Sequence, residues 1–401
     1  MTDCGERSHR SEETPQLRRA ALILAAAALV AALVGASTAH ASKFIQKGIY
    51  DDAQILYGNP DKVFPVLQQA GTQLIRVNLW WGGPNGVARR RPSVASNPAD
   101  AAYDWATYDR TVRYANAYKI GVIFTVIGTP AWANASAGWN AAPSSPAELQ
   151  AFVTAAARRY SGNYKLPDGT RPVRVSKWIA WNEPNNPVFM KPQWVPAASG
   201  TWVIQSAIDY AKICNAVVRG VKSVNKSSKV ACGATAPRGN NQPGTSRTST
   251  SPLAFLRAMK KAGAKGFDAY AHHPYYGSPS ETPSTKPPPG KRGQSPTAVT
   301  LGNFEALTKE LAALYGNIRI WVTEYGYQTN PPDKQYGVPL ETQAEYMRLA
   351  WAKLAANPRV DMMIWFLLRD EARVGAGWQS GLYTASGARK PSREVFERLR
   401  Q

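Results

Sequence analysis

The chain has 401 residues, a formal net charge of +21 and a hydrophobic fraction of 44%. That apolar fraction excludes a disordered chain, and the length allows one large α/β barrel or two to three smaller domains. The basic excess would attract polyanions such as acidic glycans, although a generic basic surface explains it more simply, and the absence of a basic run interleaved with aromatic residues argues against nucleic acid as a partner.

The first 41 residues are predicted to be a signal peptide. Arg18 and Arg19 precede an apolar run at residues 20–34, and Ala39-His40-Ala41 is a small-x-small cleavage site. We expect cleavage after Ala41 and a secreted or cell-envelope-associated protein with no membrane contact after signal removal. An uncleaved N-terminal anchor is the alternative. Residues 1–41 contain equal numbers of acidic and basic residues, so the net charge belongs to residues 42–401.

From residue 43 onward, short β-branched or apolar runs alternate with longer helical patterns, as in βα units around a parallel sheet. The runs predict eight strands, at residues 44–50, 74–79, 121–127, 175–181, 230–235, 267–272, 318–323 and 362–367. The helical patterns predict eight helices, at residues 62–70, 105–118, 146–160, 203–224, 252–262, 299–315, 342–354 and 393–399. The chain is therefore predicted to be α/β, with a single (β/α)8 TIM barrel over residues 42–401.

Three segments between these elements are unusually long, at residues 82–103, 237–251 and 276–297. Each follows a predicted strand, on the side where such barrels place their active sites. We therefore expect enlarged βα loops to shape a binding site at that end of the barrel.

The three cysteines leave their redox state open. Cys4 lies before the apolar run of the leader, Cys214 lies in a helical pattern, and Cys232 lies in the strand that follows. A disulfide between the last two and a pair of buried thiols both fit. No metal-ligand spacing involves them, and we expect neither a metal nor a cofactor.

Two glutamates close predicted strands far apart in the sequence. Glu183, in Trp181-Asn182-Glu183-Pro184, ends the fourth strand, and Glu324, in Thr323-Glu324-Tyr325-Gly326, ends the seventh. A pair of carboxylates on rigid strand ends is what glycosidic cleavage requires. An isolated Asn-Glu-Pro is a weak signal, since a glutamate at a strand end is often an ion-pair partner, but the joint occurrence favours an active site.

These residues resemble clan A of the glycoside hydrolases, the retaining (β/α)8 enzymes of the cellulase and mannanase type and the β-xylosidase type. In that clan the acid/base glutamate follows an asparagine after the fourth strand, and the nucleophile ends the seventh. The resemblance implies that Glu183 is the acid/base and Glu324 the nucleophile. It also implies substrate-binding roles for Arg76, Trp132, Asn182, His273, Tyr275 and Trp365.

The chemistry requires the two glutamates to differ. Glu183 must carry a proton, so apolar neighbours and the charge of Glu324 are expected to raise its pKa. Glu324 must be ionised, and Arg76 is expected to orient it. Asn182 is expected to bind the sugar 2-hydroxyl, and a retaining site places the carboxyl groups about 5–5.5 Å apart.

The sequence thus predicts a secreted, monomeric retaining β-glycosidase that hydrolyses a polysaccharide or oligosaccharide by double displacement. An acidic glycan is a candidate substrate. A transglycosylase acting on cell-wall glycan and a non-catalytic glycan-binding barrel are the alternatives. The match is divided between cellulase-like and xylosidase-like features, which leaves the sugar, endo or exo action, and the role of His272 open.

Overall fold

Eight parallel strands close into a barrel in the computed structural model, which describes residues 1–2, 45–287 and 297–399. Each strand pairs with the next along the chain, and the last pairs with the first. The barrel strands are β1 (Gln46–Tyr50), β2 (Leu74–Trp80), β3 (Gly121–Ile127), β4 (Lys177–Ala180), β5 (Lys229–Thr235), β6 (Ala269–His272), β7 (Arg319–Tyr325) and β8 (Val360–Phe366). The predicted fold class is confirmed.

A long helix follows each strand. These helices are α1 (Pro60–Gln69), α2 (Ala106–Ala117), α3 (Pro146–Arg159), α4 (Gln205–Val224), α5 (Pro252–Lys261), α6 (Phe304–Tyr315), α7 (Leu340–Ala355) and α8 (Pro391–Arg398). Half of them begin with proline, whose missing N–H costs nothing in the first turn of a helix. None of the helices in the described ranges combines the length and apolar character needed to cross a membrane.

Smaller elements lie in the connections between strands and helices. They are a one-turn helix at Asp52–Ile55, 3-10 turns at Ala131–Ala133 and Leu301–Asn303, and a ribbon of Val195–Pro196 against Trp202–Val203. The chain divides into the units Met1–Ala41 and Ser42–Gln401. The predicted leader, apart from Met1 and Thr2, and residues 288–296 of the third long loop lie outside the described residues.

Two apolar layers hold the barrel together. The inner layer fills the interior of the barrel, which the eight strands enclose, and includes Ile123, Ile179, Trp321, Met362 and Ile364. The outer layer lies between the strands and the helices. Successive side chains of a strand alternate between these layers, so a shift of one residue decides whether a side chain faces the barrel interior.

The structure resolves the cysteine alternatives in favour of a disulfide. Cys214 of α4 and Cys232 of β5 are bonded, with their Cα atoms 5.8 Å apart. Both residues are fully buried, so the bond fastens a helix to a barrel strand inside the core.

Candidate active site

Glu183 and Glu324 meet at the carboxyl-terminal end of the barrel. Glu183 follows the last residue of β4 by three positions, and Glu324 is the penultimate residue of β7. One oxygen of each carboxyl group and a ring nitrogen of His273 all lie within 4.8 Å of one another. Both carboxyl groups line a cavity of about 450 Å³, together with Tyr50, Asn182, Asn186, Phe189, Arg238, Tyr275, Phe366 and Trp378.

The backbone around Glu183 leaves the strand geometry abruptly. The strand was predicted to reach Trp181 but ends at Ala180, because Trp181 and Glu183 have φ values of 65° and 38°. Positive φ is costly for residues with a side chain and persists where the surroundings enforce it. Here the Glu183 N–H donates to the Ala234 carbonyl at 2.8 Å, which fixes the turn and aims the carboxyl group into the cavity.

Two donors hold Glu324 in one orientation. Arg76 Nη1 lies 2.9 Å from its Oε2, and the Tyr275 hydroxyl donates to its Oε1 at 3.0 Å. Burial and the charge of Glu324 raise the pKa of Tyr275 well above its usual value, so the phenol remains a donor. The guanidinium compensates the buried negative charge of the carboxylate.

Arg76 is fully buried, and several acceptors fix its position. Its Nε donates to Thr125 Oγ1 at 2.9 Å, and its Nη1 donates to the Thr323 carbonyl at 3.0 Å. The Tyr50 ring covers the guanidinium, with its centroid 4.4 Å away. Arg76 Nη2 also donates to Asn182 Oδ1 at 2.5 Å, so one cation orients both Glu324 and the asparagine beside Glu183.

Glu183 lies in a different environment. Burial raises the pKa of its carboxyl group to about 7, and this effect exceeds the opposing effects of the Asn186 hydrogen bond and the Arg76 charge. Asn186 Nδ2 donates to Oε2 at 3.0 Å, and His273 Nδ1 lies 2.9 Å from Oε1. A carboxyl group with this pKa holds its proton in mildly acidic solution and can release it near neutrality.

His273 connects the two carboxyl groups and is uncharged. Burial lowers the pKa of its imidazole to about 3; the charge of Glu324 raises it and that of Arg76 lowers it. Its Nε2 lies 3.0 Å from Thr323 Oγ1 and 3.4 Å from Arg76 Nη1. Arginine can only donate, so we assign Nε2 as the acceptor and place the proton on Nδ1, which donates to Glu183.

His272 has a structural position. It is fully buried, and burial lowers the pKa of its imidazole to about 3. Its Nδ1 lies 2.8 Å from Thr235 Oγ1 and its Nε2 lies 3.1 Å from the Val299 carbonyl. The ring thus joins β6 to β5 and to the segment before α6, rather than facing the cavity.

The expectation for Trp365 requires a correction. Met362 and Ile364 of β8 face the barrel interior, so Trp365 points outward into the layer under the helices. It is fully buried there, and its Nε1 donates to the Ser380 carbonyl at 2.8 Å. The next residue, Phe366, lines the cavity instead.

Trp132 also lies outside the catalytic cavity. It belongs to the 3-10 turn after β3 and lines a separate hollow. The Arg91 guanidinium lies 4.7 Å from its ring centroid, and the Trp81 ring packs edge-on at 5.6 Å. Arg76, Asn182, His273 and Tyr275 are the predicted residues that the structure brings together with the two glutamates.

Several cavity residues were not predicted. Tyr50 and Phe366 end β1 and β8, so their strand-end positions were a usable signal. Asn186 lies three residues after Glu183 in the same turn. Trp378 lies in the loop after β8, where the sequence offers no periodicity to place it, and its ring packs 5.5 Å from Tyr275.

Within the described part of the chain, Glu183, His273 and Glu324 also form the cluster with ligand atoms close enough to share a metal ion. The Arg76 guanidinium already lies 2.9 Å from Glu324. A cation placed between the carboxylates would be repelled by this fixed positive charge, so the arrangement suits two carboxyl groups acting directly.

A family model described as "Family of unknown function (DUF5722)" matches residues 106–401. The match covers most of the chain, which therefore belongs to this family. No curated protein matches the chain.

The fold is similar to solved glycoside hydrolases. A family 39 glycoside hydrolase from the gut symbiont Bacteroides cellulosilyticus WH2 is 18% identical over 90% of this chain, with a TM-score of 0.60. A glucosidase from Croceicoccus marinus is 17% identical over 89%, also with a TM-score of 0.60. The chain spans 63% and 66% of these two proteins. The GH53 catalytic domain of Ignisphaera aggregans is 17% identical, with 88% of this chain and 95% of that domain covered and a TM-score of 0.52. At these identities the likeness concerns the (β/α)8 barrel.

Proposed function

We propose that this member of the DUF5722 family is a retaining β-glycosidase that cleaves O-glycosidic bonds of an oligosaccharide or polysaccharide. The observation that carries the proposal is the pair Glu183 and Glu324, whose nearest oxygens lie within 4.8 Å in contrasting surroundings. Retaining glycosidases hold their carboxyl groups about 5–5.5 Å apart, whereas inverting enzymes leave about 6.5–9.5 Å for a water molecule. The short separation favours double displacement.

In the first step, Glu324 attacks the anomeric carbon while Glu183 gives its proton to the leaving glycosidic oxygen. The bond between the anomeric carbon and that oxygen breaks, and an ester joins the sugar to Glu324. Arg76 and Tyr275 contact different oxygens of Glu324, which fixes the attacking group before the substrate arrives.

In the second step, Glu183 accepts a proton from water while the water oxygen forms a bond to the anomeric carbon; the bond from that carbon to Glu324 breaks, and Glu324 leaves as a carboxylate. The ionised form of Glu183 is stabilised by donors on both of its oxygens, from His273 and Asn186. Burial favours the protonated form needed first, and the Asn186 hydrogen bond and the charge of Arg76 favour the ionised form needed second. A pKa of about 7 represents the balance between them.

Asn182 is proposed to bind the sugar 2-hydroxyl. Its Oδ1 accepts from Arg76 Nη2, so the amide is oriented with Nδ2 as the donor for the substrate. A hydrogen bond to the 2-hydroxyl strengthens as positive charge develops on the sugar ring, and it therefore favours the transition state over bound substrate.

Transglycosylation is the second candidate, because the same intermediate can react with a sugar hydroxyl. The indole of Trp378, 38% exposed at the cavity, offers a surface on which an acceptor sugar can stack. Product analysis with an added acceptor separates the two outcomes. A non-catalytic binding barrel is less favoured, since it would have no use for two carboxyl groups this close together with different hydrogen-bond partners.

Export, with cleavage after Ala41, forms part of the proposal. The Cys214–Cys232 disulfide supports it, because such bonds persist mainly in oxidising compartments. Mass spectrometry of the protein recovered from culture medium and from cell envelopes tests it: a mature chain beginning at Ser42 is expected, and retention of residues 1–41 would favour the anchor.

Chemical rescue tests the assignment of roles. Glu324→Ala should abolish turnover, whereas Glu183→Ala should still form the glycosyl ester from an aryl β-glycoside with a good leaving group. Azide should then rescue Glu183→Ala and yield a β-glycosyl azide, because the small anion fits the vacated space and needs no general base. An α-glycosyl azide would reverse the two roles, and a wild-type protein inactive on aryl β-glycosides and on a polysaccharide panel would overturn the proposed function.

A further inference from the structure

A second hollow opens beside the catalytic cavity, between the loops that follow β2 and β3. Its volume is about 310 Å³. Its lining includes Gly83, Arg89, Trp132, Ser136, Gly138 and Trp139. The hollow therefore offers aromatic surface and polar groups on the same end of the barrel as the two glutamates, and the reaction proposed above makes no use of it.

Aromatic rings connect the hollow to the catalytic cavity. Trp139 lines the hollow and packs edge-on against Trp80, with ring centroids 5.3 Å apart. Trp139 also packs edge-on against Phe189 at 6.3 Å, and Phe189 lines the catalytic cavity. The contact between Trp139 and Phe189 thus places the two depressions next to each other.

Hydrogen bonds join the loop after β3, which carries Trp139, to the loop after β4, which carries Phe189. Asn140 Nδ2 donates to the Val188 carbonyl at 3.1 Å, and the Lys191 N–H donates to the Asn140 carbonyl at 2.8 Å. These bonds flank Trp139 and Phe189 in the sequence. The spacing between the two depressions is therefore set by one side-chain and one backbone hydrogen bond between these loops, as a preorganised binding site requires.

Gly83 leaves the side chains of Trp80 and Trp139 uncovered. A Cβ atom at Gly83 would lie 3.7 Å from Trp139 Cβ and 3.7 Å from Trp80 Cε3, in contact with both aromatic residues. Any longer side chain would cover them. The φ of 88° at this position also favours glycine, so the open surface and the backbone conformation have the same requirement.

We propose that this hollow binds a further pyranose unit of the same glycan whose bond is cut between Glu183 and Glu324. The apolar C–H face of a pyranose ring packs on an indole, and Trp139 supplies that surface. Arg89, whose Nη2 donates to Asp104 at 3.0 Å, and Ser136 also line the hollow and offer polar groups to the ring hydroxyls.

This inference rests on the proposed function and narrows its substrate class. An enzyme with one enclosed cavity needs only a terminal sugar, whereas two adjacent depressions select a glycan long enough to span both. The substrate is therefore an oligosaccharide or polysaccharide, and part of its binding energy comes from a unit remote from the broken bond. Energy from remote contacts raises turnover of long substrates over short ones.

The test compares short and long substrates in three variants. Trp139→Ala removes the indole, and Ala131→Gln places a longer side chain at an exposed position of the hollow lining. Trp202→Ala is the matched control, because Trp202 is 44% exposed and lines neither depression. Each variant is assayed with an aryl β-monoglycoside and with size-fractionated fragments of the polysaccharide that the wild type cleaves, and thermal unfolding checks its folding.

We expect kcat/KM of the wild type to rise with fragment length. Trp139→Ala and Ala131→Gln should each lose about tenfold on long fragments, as truncation of an aromatic anchor does. Both should stay within about twofold of wild type on the monoglycoside. Affinity electrophoresis in a gel containing the polysaccharide should show the same loss of binding.

Three outcomes would overturn the inference while leaving the proposed function intact. Equal losses of Trp139→Ala on both substrates would mean that the indole acts through Phe189 on the catalytic cavity. Full activity of both hollow variants on long fragments, or a loss in Trp202→Ala as large as theirs, would remove the hollow from substrate binding. A wild type inactive on every substrate would instead overturn the function itself.

Discussion

The hydrogen bond from Asn186 to Glu183 allows the proposed acid/base to be tuned while both carboxyl groups stay in place. Asn186 Nδ2 donates to Glu183 Oε2 at 3.0 Å and lowers the pKa that burial raises to about 7. Asn186→Ala removes a donor that favours the charged form, so the pKa of Glu183 should rise further.

The magnitude follows from the strength of such a bond. A hydrogen bond to a charged group contributes about 1.5–3 kcal/mol, and one pKa unit corresponds to about 1.4 kcal/mol. Asn186 is only partly buried, so water replaces some of the lost interaction. We therefore expect a rise of about one unit, at the lower end of that range. The basic limb of kcat/KM reports proton loss from Glu183 and should move to higher pH by the same amount.

The assay measures initial rates on an aryl β-glycoside with a poor leaving group, which needs the proton of Glu183. Asn140→Ala is the control, because it removes the bond from Asn140 Nδ2 to the Val188 carbonyl of the same loop and leaves the partners of Glu183 in place. A folded Asn186→Ala with an unmoved basic limb would refute the assignment. An equal shift in Asn140→Ala would attribute the effect to the loop rather than to the hydrogen bond.

Three further predictions concern the disulfide, the cavity wall and the surface charge. Replacing both Cys214 and Cys232 by alanine opens a link between residues 18 positions apart and should lower the free energy of unfolding by about 3 kcal/mol, read from denaturant curves; unchanged curves would contradict this. Phe366→Ala should raise KM for an aryl glycoside about tenfold, whereas Trp365→Phe should mainly lower the unfolding temperature. The opposite pattern would mean that Trp365, and not Phe366, contacts the substrate. If the charge of +21 recruits an acidic glycan, binding of that glycan should weaken steeply as salt rises to physiological strength, because surface charges then act over only about 8 Å. Cleavage of a neutral aryl glycoside should barely change over the same salt series, and parallel salt responses of the two substrates would refute that role.

The elements of the barrel could be predicted because their signals are local. The helix predicted at residues 146–160 is observed at Pro146–Arg159, and the one predicted at residues 62–70 at Pro60–Gln69. The earlier start of the second has a local cause, since the Asn59 side chain accepts from the Asp61 N–H and caps the helix. Alternating β-branched and helical patterns then fix the number of βα units, and with it the closed sheet.

The cavity wall depends on strand register, which the sequence expresses poorly. The pairing of β8 with β7 is irregular between Met363 and Trp365. The extra residue of this irregularity lies in β7, between Val322 and Tyr325, whereas Met362, Ile364 and Phe366 alternate regularly along β8, so Phe366 rather than Trp365 borders the cavity. The disulfide was undecidable for a similar reason, because it depends on a distance between a helix and a strand rather than on a pattern within either.

The different roles proposed for the two glutamates require a cation, Arg76, beside Glu324 and an uncharged imidazole, His273, beside Glu183. Arg76 contacts Glu324 directly, whereas Glu183 contacts His273, whose Nε2 faces the same guanidinium. A protonated His273 would place a second cation beside Glu183 and favour its ionised form, which cannot protonate a leaving group. Burial prevents this by lowering the pKa of His273 to about 3. The neutral imidazole still donates one hydrogen bond, enough to orient Glu183 and to support its charge after the proton has been given away.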